Sequence, residues 1–116
     1  MKIRIKGNSL RYRLTKTDVD NFLKNDYLEE RTNFGDQQLI YALQKSESNM
    51  LEAIFNNNKI TLLMPTAWAK EWEATGRVGF RGNHGELFLL IEKDFKCLDD
   101  VTEDQSDNYP NPLAQS

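Results

Sequence analysis

The 116 residues carry 15 lysines and arginines against 18 aspartates and glutamates, a formal net charge of −3, with 39% hydrophobic and 28% charged positions. That balance suits one soluble globular domain with a real core and excludes two ordinary ones; no apolar run approaches the roughly 20 residues of a spanning helix. A single cysteine, Cys97, excludes an internal disulfide, and the N-terminus lacks the continuous apolar stretch of a signal peptide, so a cytoplasmic protein without membrane attachment is expected.

Residues 2–14 read as a hairpin. Ile3 and Ile5 alternate with Lys2, Arg4 and Lys6; after Gly7-Asn8, Leu10, Tyr12 and Leu14 alternate with Arg11 and Arg13. Period-two alternation marks a half-buried strand, and a Gly-Asn pair suits a tight turn. Thr15, three residues before Asp18, has the spacing of a helix N-cap. Val19, Phe22 and Leu23 then give one apolar helical face through about Asn25. Residues 27–33 and 37–44 form a second strand pair around Phe34-Gly35-Asp36. Further along, Leu51, Ala53 and Phe55 lead through Asn56-Asn57-Asn58 to Ile60, Leu62 and Met64. Pro65 pre-sets a helix start, Trp68, Ala69 and Trp72 ride on that helix, and Gly76 suits its end. Arg77–Arg81 and Leu87–Ile91 close the series around Gly82-Asn83-His84-Gly85.

The two halves superpose at a constant offset of 50 without a gap. Ile5 meets Phe55, Leu14 meets Met64, Phe22 meets Trp72, Gly35 meets Gly85 and Leu39 meets Leu89. Few pairs are identical, but turns, helix and apolar phase coincide, which a slip of one residue would destroy. The expected fold is therefore α+β, mostly β: two ββαββ repeats (2–44 and 51–93) closing one compact barrel with two short helices against its ends. One domain spans 1–98, followed by an acidic tail, 99–116, that contains proline and asparagine.

The stretch KGNSLRYRLTKTDVDNFL resembles the N-terminal half of AbrB/MazE-type swapped-hairpin domains. Gly7-Asn8-Ser9 matches their turn, and Leu14-Thr15 takes the place of their Ile-Pro. The second copy has that proline as Met64-Pro65 but Asn57-Asn58-Lys59 in the turn. The resemblance implies interlaced hairpins in one barrel, and a DNA-contacting role for the basic hairpin. The whole chain also resembles a bacterial family of small proteins without an assigned function.

Charge is unevenly placed. Lys2, Arg4, Lys6, Arg11, Arg13 and Lys16 contain no acid among them, whereas Asp99, Asp100, Glu103, Asp104 and Asp107 crowd the other end. With the apolar residues of the hairpin inward, Lys2, Arg4, Lys6, Arg11 and Arg13 share the outward face. That face suits phosphates of a nucleic acid, an acidic protein segment, or a solvated edge protected against aggregation. The second copy puts Glu52, Ile54, Asn56, Thr61 and Leu63 at the corresponding positions, so the positive charge is kept on one copy only. The acidic run, with Tyr109, is the second candidate binding element: it could lie across the basic hairpin, serve a partner protein, or simply solubilise the tail.

Other chemistries find little footing. Asp104, Ser106 and Asn108 space like the first ligands of a calcium loop, but Tyr109 and Gln115 stand where glycine and glutamate are required. Cys97 sits beside Asp99 and Asp100, which raise a thiol pKa, and His84 falls in a turn. Trp68 and Trp72 read as core. No catalytic constellation, metal set, phosphate loop or cofactor motif is present. The expectation is a non-catalytic binding or regulatory protein, monomeric or weakly dimeric. Its basic face would take nucleic acid or an acidic segment; the alternative is a protein–protein module that works through the acidic tail.

Overall fold

A computed structural model describes residues 1–94. Its elements run β1 (Lys2–Lys6), β2 (Ser9–Leu14), α1 (Lys16–Asn25), β3 (Tyr27–Asn33), β4 (Gln38–Ser46), β5 (Glu52–Asn56), β6 (Lys59–Pro65), α2 (Thr66–Ala74), β7 (Gly79–His84) and β8 (Leu87–Lys93). The strands form two four-stranded sheets, ordered β1-β2-β8-β7 and β3-β4-β6-β5. In each, two antiparallel hairpins are joined by one parallel pair, β2 with β8 and β4 with β6. The result is a mostly-β α+β fold.

Local chemistry explains the turns and caps. Gly7 alone carries the positive φ of the β1–β2 turn, at 53°, whereas Asn57 and Asn58 both adopt it, at 51° and 61°, in the β5–β6 turn. A glycine first and an Asn pair are the two ways two-residue hairpin loops are commonly built. Thr15 and Asp18 close a full capping box on α1, and Asp26 ends that helix in the left-handed region. At α2, Pro65 takes the cap position with φ −55° and offers no side-chain bond. The expected glycine stop is absent there: Thr75 ends α2 in an extended conformation, its hydroxyl donating to the Glu71 carbonyl at 2.8 Å, one residue before Gly76.

Hairpin pairings recur at a fixed interval. Lys2 faces Arg13 and Glu52 faces Leu63; Glu29 faces Ala42 and Gly79 faces Glu92, each second pair lying 50 residues after the first. The parallel joints do not follow suit. Ser9 faces Phe88, whereas Lys59 faces Ile40, so the second joint is slid by two residues. An even slide keeps every side chain on its own face.

The inward residues make one core. Leu10, Tyr12, Leu14, Phe80, Leu89 and Ile91 of the first sheet pack with Leu43, Leu62 and Met64 of the second. Phe22 of α1 and Trp72 of α2, fully buried, cover it, and the two helices touch each other. Trp68 stacks on Phe80 with centroids 5.2 Å apart, and the Trp72 Nε1–H donates to the Val78 carbonyl at 3.2 Å. Both tryptophans therefore serve packing.

The expected closed barrel is not what forms. Among the described residues no ladder joins the sheets, and β1, β7, β3 and β5 remain edges. Side chains bridge the seams instead. Between β5 and β7 the Ala53 N–H donates to His84 Nδ1 at 3.0 Å, so His84 is a strut and not a free turn residue. On the other side the Tyr41 hydroxyl donates to the Met1 carbonyl at 3.1 Å, and the Met1 ammonium reaches Asp18 at 2.7 Å and Glu30 at 3.1 Å. Inside, the Tyr12 hydroxyl crosses from one sheet to the Ile60 carbonyl of the other at 3.2 Å, and burial pushes its phenol far above the ordinary pKa. Contacts of this kind join the two sheets without backbone closure.

Candidate functional site

Alternation along four paired strands builds the outer face of the first sheet in three rows. Lys2, Arg13, Glu92 and Gly79 form one; Arg4, Arg11, Leu90 and Arg81 the next; Lys6, Ser9, Phe88 and Asn83 the third. The five cations expected to share a face, Lys2, Arg4, Lys6, Arg11 and Arg13, do so. They are not equally available.

The parallel joint brings β8 alongside β2, and with it two acids. Glu92 takes Arg11 in a close ion pair, with Nε at 2.8 Å from Oε1, and lies 3.4 Å from Arg13 Nε. That second contact is an ion pair without hydrogen-bond geometry, which leaves the buried Arg13 Nε–H unpartnered. Asp94 takes Lys2 at 3.0 Å and Arg13 at 3.6 Å. Three of the five cations are thus partly neutralised by two acids at the end of β8, in the other half of the chain. Gly79 makes this seating possible. Any Cβ there would collide with the Ile91 carbonyl and the Glu92 side chain.

Arg4 and Lys6 are exposed and, among the described residues, pair with no carboxylate. The same holds for Arg81, which sits across Leu90 from Arg11. Beside Arg4 and Lys6 lies a shallow recess of about 240 Å³ lined by these two and by Ser9, Arg11, Phe88 and Leu90. Phe88 is 36% exposed, and Asn83 beside it is exposed too. Arg81, Phe88 and Asn83 were not singled out from the sequence. Strand parity could have placed them outward on β7 and β8, but only the β2–β8 joint puts them on the same surface as the basic hairpin.

The outer face of the second sheet is built differently. Glu52, Ile54 and Asn56 face outward beside Thr61 and Leu63, as expected, with Ile40 extending the uncharged centre over the buried Ala42. Its charges satisfy one another at the margin. The Tyr27 hydroxyl donates to Glu29 at 2.6 Å and Arg31 Nε donates to it at 2.7 Å. These bonds, that from Tyr27 foremost, hold the Glu29 carboxyl below the usual carboxylate range. Lys59 Nζ stands 4.9 Å over the Tyr27 ring.

A cavity of about 450 Å³ beside the helices has an apolar floor of Leu14, Val19, Leu23 and Trp72 and a charged rim that includes Asp20 and Glu73. Its described lining contains no histidine, cysteine or serine; its titratable groups are Lys16, Asp20, Glu73, Lys93 and Asp94. Among the described residues no group of three or more His, Cys, Asp or Glu could hold a metal ion, and no helix is long and apolar enough to cross a membrane. The second candidate element, Asp99, Asp100, Glu103, Asp104, Asp107 and Tyr109, lies outside the described residues, as do Cys97 and the tested calcium spacing.

A protein-family model described as a family of unknown function, DUF7009, matches residues 1–113. The chain belongs to the DUF7009 family. No curated protein and no solved structure matches it. Membership of DUF7009 assigns no chemistry, so the bearing on function comes from the surface itself.

Proposed function

We propose that this DUF7009 protein is a non-catalytic binding module that captures a polyanion on the outer face of its first sheet. The observation that carries the reading is the set Arg4, Lys6 and Arg81, exposed on one sheet face and free of carboxylate partners among the described residues. Paired surface charges contribute little to stability; unpaired ones clustered on a face attract counter-charge and give binding its salt dependence. A solvated, protective edge is the bland counterpart, but Arg81 is not on the basic hairpin and Phe88 protects no edge. The single cysteine fits a cytoplasmic setting.

The recurring hairpin registers support a second part of this reading. Two ββαββ units in one chain, exchanging hairpins between two sheets, fit a duplicated and diverged relative of the AbrB/MazE type in which one unit kept its cations. The slid parallel joint fits divergence after duplication.

The test is binding of the full chain to a labelled polyanion across a salt series. Affinity is expected to fall linearly on logarithmic axes as salt rises, and Arg4→Ala, Lys6→Ala and Arg81→Ala are each expected to reduce the slope by about one. A flat salt response, or no binding at low salt, would overturn the reading.

A further inference from the structure

The polyanion face is not merely positive, and its remaining chemistry narrows the partner. We infer that it takes a single-stranded nucleic acid, with one base stacked on Phe88 and the backbone tracked by Arg4, Lys6, Arg11 and Arg81. The inference rests on the polyanion reading above and goes beyond it by naming the polymer.

Shape carries the first step. The cations lie on a four-stranded surface whose row from Arg4 to Arg81 crosses three strand spacings, about 14 Å between the outer strands. That is already wider than the roughly 12 Å major groove, which admits a helix or a two-stranded ribbon. A duplex could meet this face only through its phosphates. A single strand can lie across it and turn its bases toward the protein.

Chemistry carries the second. Phe88 is an aromatic ring partly open to solvent in the same recess as Arg4, Lys6 and Arg11. An exposed aromatic interleaved with cations is the arrangement by which sheet surfaces hold unpaired bases, since every base has a face to stack and every nucleotide a phosphate to neutralise. Leu90, one row along, extends the apolar floor, and Asn83, next to Phe88, presents an amide that can both donate to and accept from a base edge. Arg4 and Arg81 offer planar guanidinium groups that stack as well as pair. An acidic protein segment would use the cations but has no need of the ring.

Location of the two acids carries the third. Glu92 and Asp94 crowd the Lys2–Arg13 end of the face, whereas the row containing Phe88 holds no acid. Repulsion of a phosphate backbone by Glu92 and Asp94 is therefore confined to one end. A strand would run across the Arg4 and Lys6 rows and leave the Lys2 row uncovered.

The experiment is fluorescence anisotropy of the full chain with labelled oligothymidine, a duplex of the same length and polyglutamate, at matched salt. The single strand is expected to bind tightest. Phe88→Ala is expected to weaken it about tenfold without changing the salt slope, while Phe88→Tyr retains binding and reports on folding of the site. Arg4→Ala is expected to lower the slope by about one. Equal binding of single strand and duplex, tighter binding of polyglutamate, or a Phe88→Ala variant that binds oligothymidine like the parent would overturn the inference while leaving the polyanion reading standing. Failure of all three probes to bind at low salt would remove both.

Discussion

The outer faces of the two sheets have the same hairpin registers and opposite chemistry. On the first, cations from β1, β2 and β7 surround Phe88 and Leu90; on the second, Ile54, Thr61, Leu63 and Ile40 make an uncharged centre with Arg31 and Lys59 engaged at its margin. Inward positions must preserve volume and apolarity to keep one core, so the two halves stay alike where they meet. Outward positions carry no such constraint. The pattern of hairpins therefore sets where a face lies, and outward residues alone decide what it can hold. Hairpin exchange adds a second lesson, because the acids that restrain Arg11, Arg13 and Lys2 come from the other half of the chain.

The contrast can be broken most severely at Gly79. Gly79→Ala would drive a methyl into the Ile91 carbonyl and Glu92, costing about 1–3 kcal/mol as overpacking does and unseating the acid that holds Arg11. The matching position of the second sheet already carries a side chain, Glu29, so Glu29→Ala is expected to leave the melting temperature nearly unchanged. Thermal unfolding of the two variants reads the difference directly.

A smaller loss is expected where the helices differ. Thr15→Ala removes the side-chain cap of α1 and should cost about 1 kcal/mol, whereas α2, starting at Pro65, has no such bond to lose. The partner in that cap also sets a pH dependence. Burial raises the Asp18 carboxyl, but bonds from the Met1 ammonium and from Thr15 outweigh it, so its pKa lies below the usual value. A depressed carboxylate contributes stability that is present above its unfolded pKa and lost as pH falls through the folded one. Asp18→Asn should therefore flatten the acid limb of the stability profile, measured by denaturant midpoints from pH 5 downward to about pH 2.

Glu92→Gln sharpens the contrast at least cost in stability. Releasing Arg11 and Arg13 from their shared acid should raise polyanion affinity several-fold and steepen the salt slope, while Glu29→Gln on the other sheet leaves binding where it was. Equal effects from both substitutions would show that overall charge, not the first face, governs capture.

Much of this fold was legible in the sequence. Alternation in KIRIKGNSLRYRL gave the hairpin and its outward cations, and Thr15 with Asp18 marked the helix start. Apolar periodicity also foretold Phe22 and Trp72 as core. What was hidden is pairing between distant strands. Nothing local in β2 says that β8 will lie beside it, so the restraint by Glu92 and Asp94 and the company of Arg81 and Phe88 could not be read. The barrel expectation failed for the same reason. A ladder across β5 and β7 depends on how edge groups are met, and His84, which looks like turn punctuation, meets one of them through its ring. β7 also starts later than its alternation suggests, at Gly79, because Arg77 belongs to the loop, its guanidinium 4.1 Å over Phe80 and paired with Glu71 at 2.7 Å.

The most direct measurement is the salt slope of oligothymidine binding for three full-length proteins: the parent, a first-face variant (Arg4→Ala, Lys6→Ala, Arg81→Ala) and a second-face variant (Arg31→Ala, Lys59→Ala). The account predicts a slope reduced by about three in the first-face variant and unchanged in the second. Equal reductions in both, or a parent whose binding ignores salt, would contradict it.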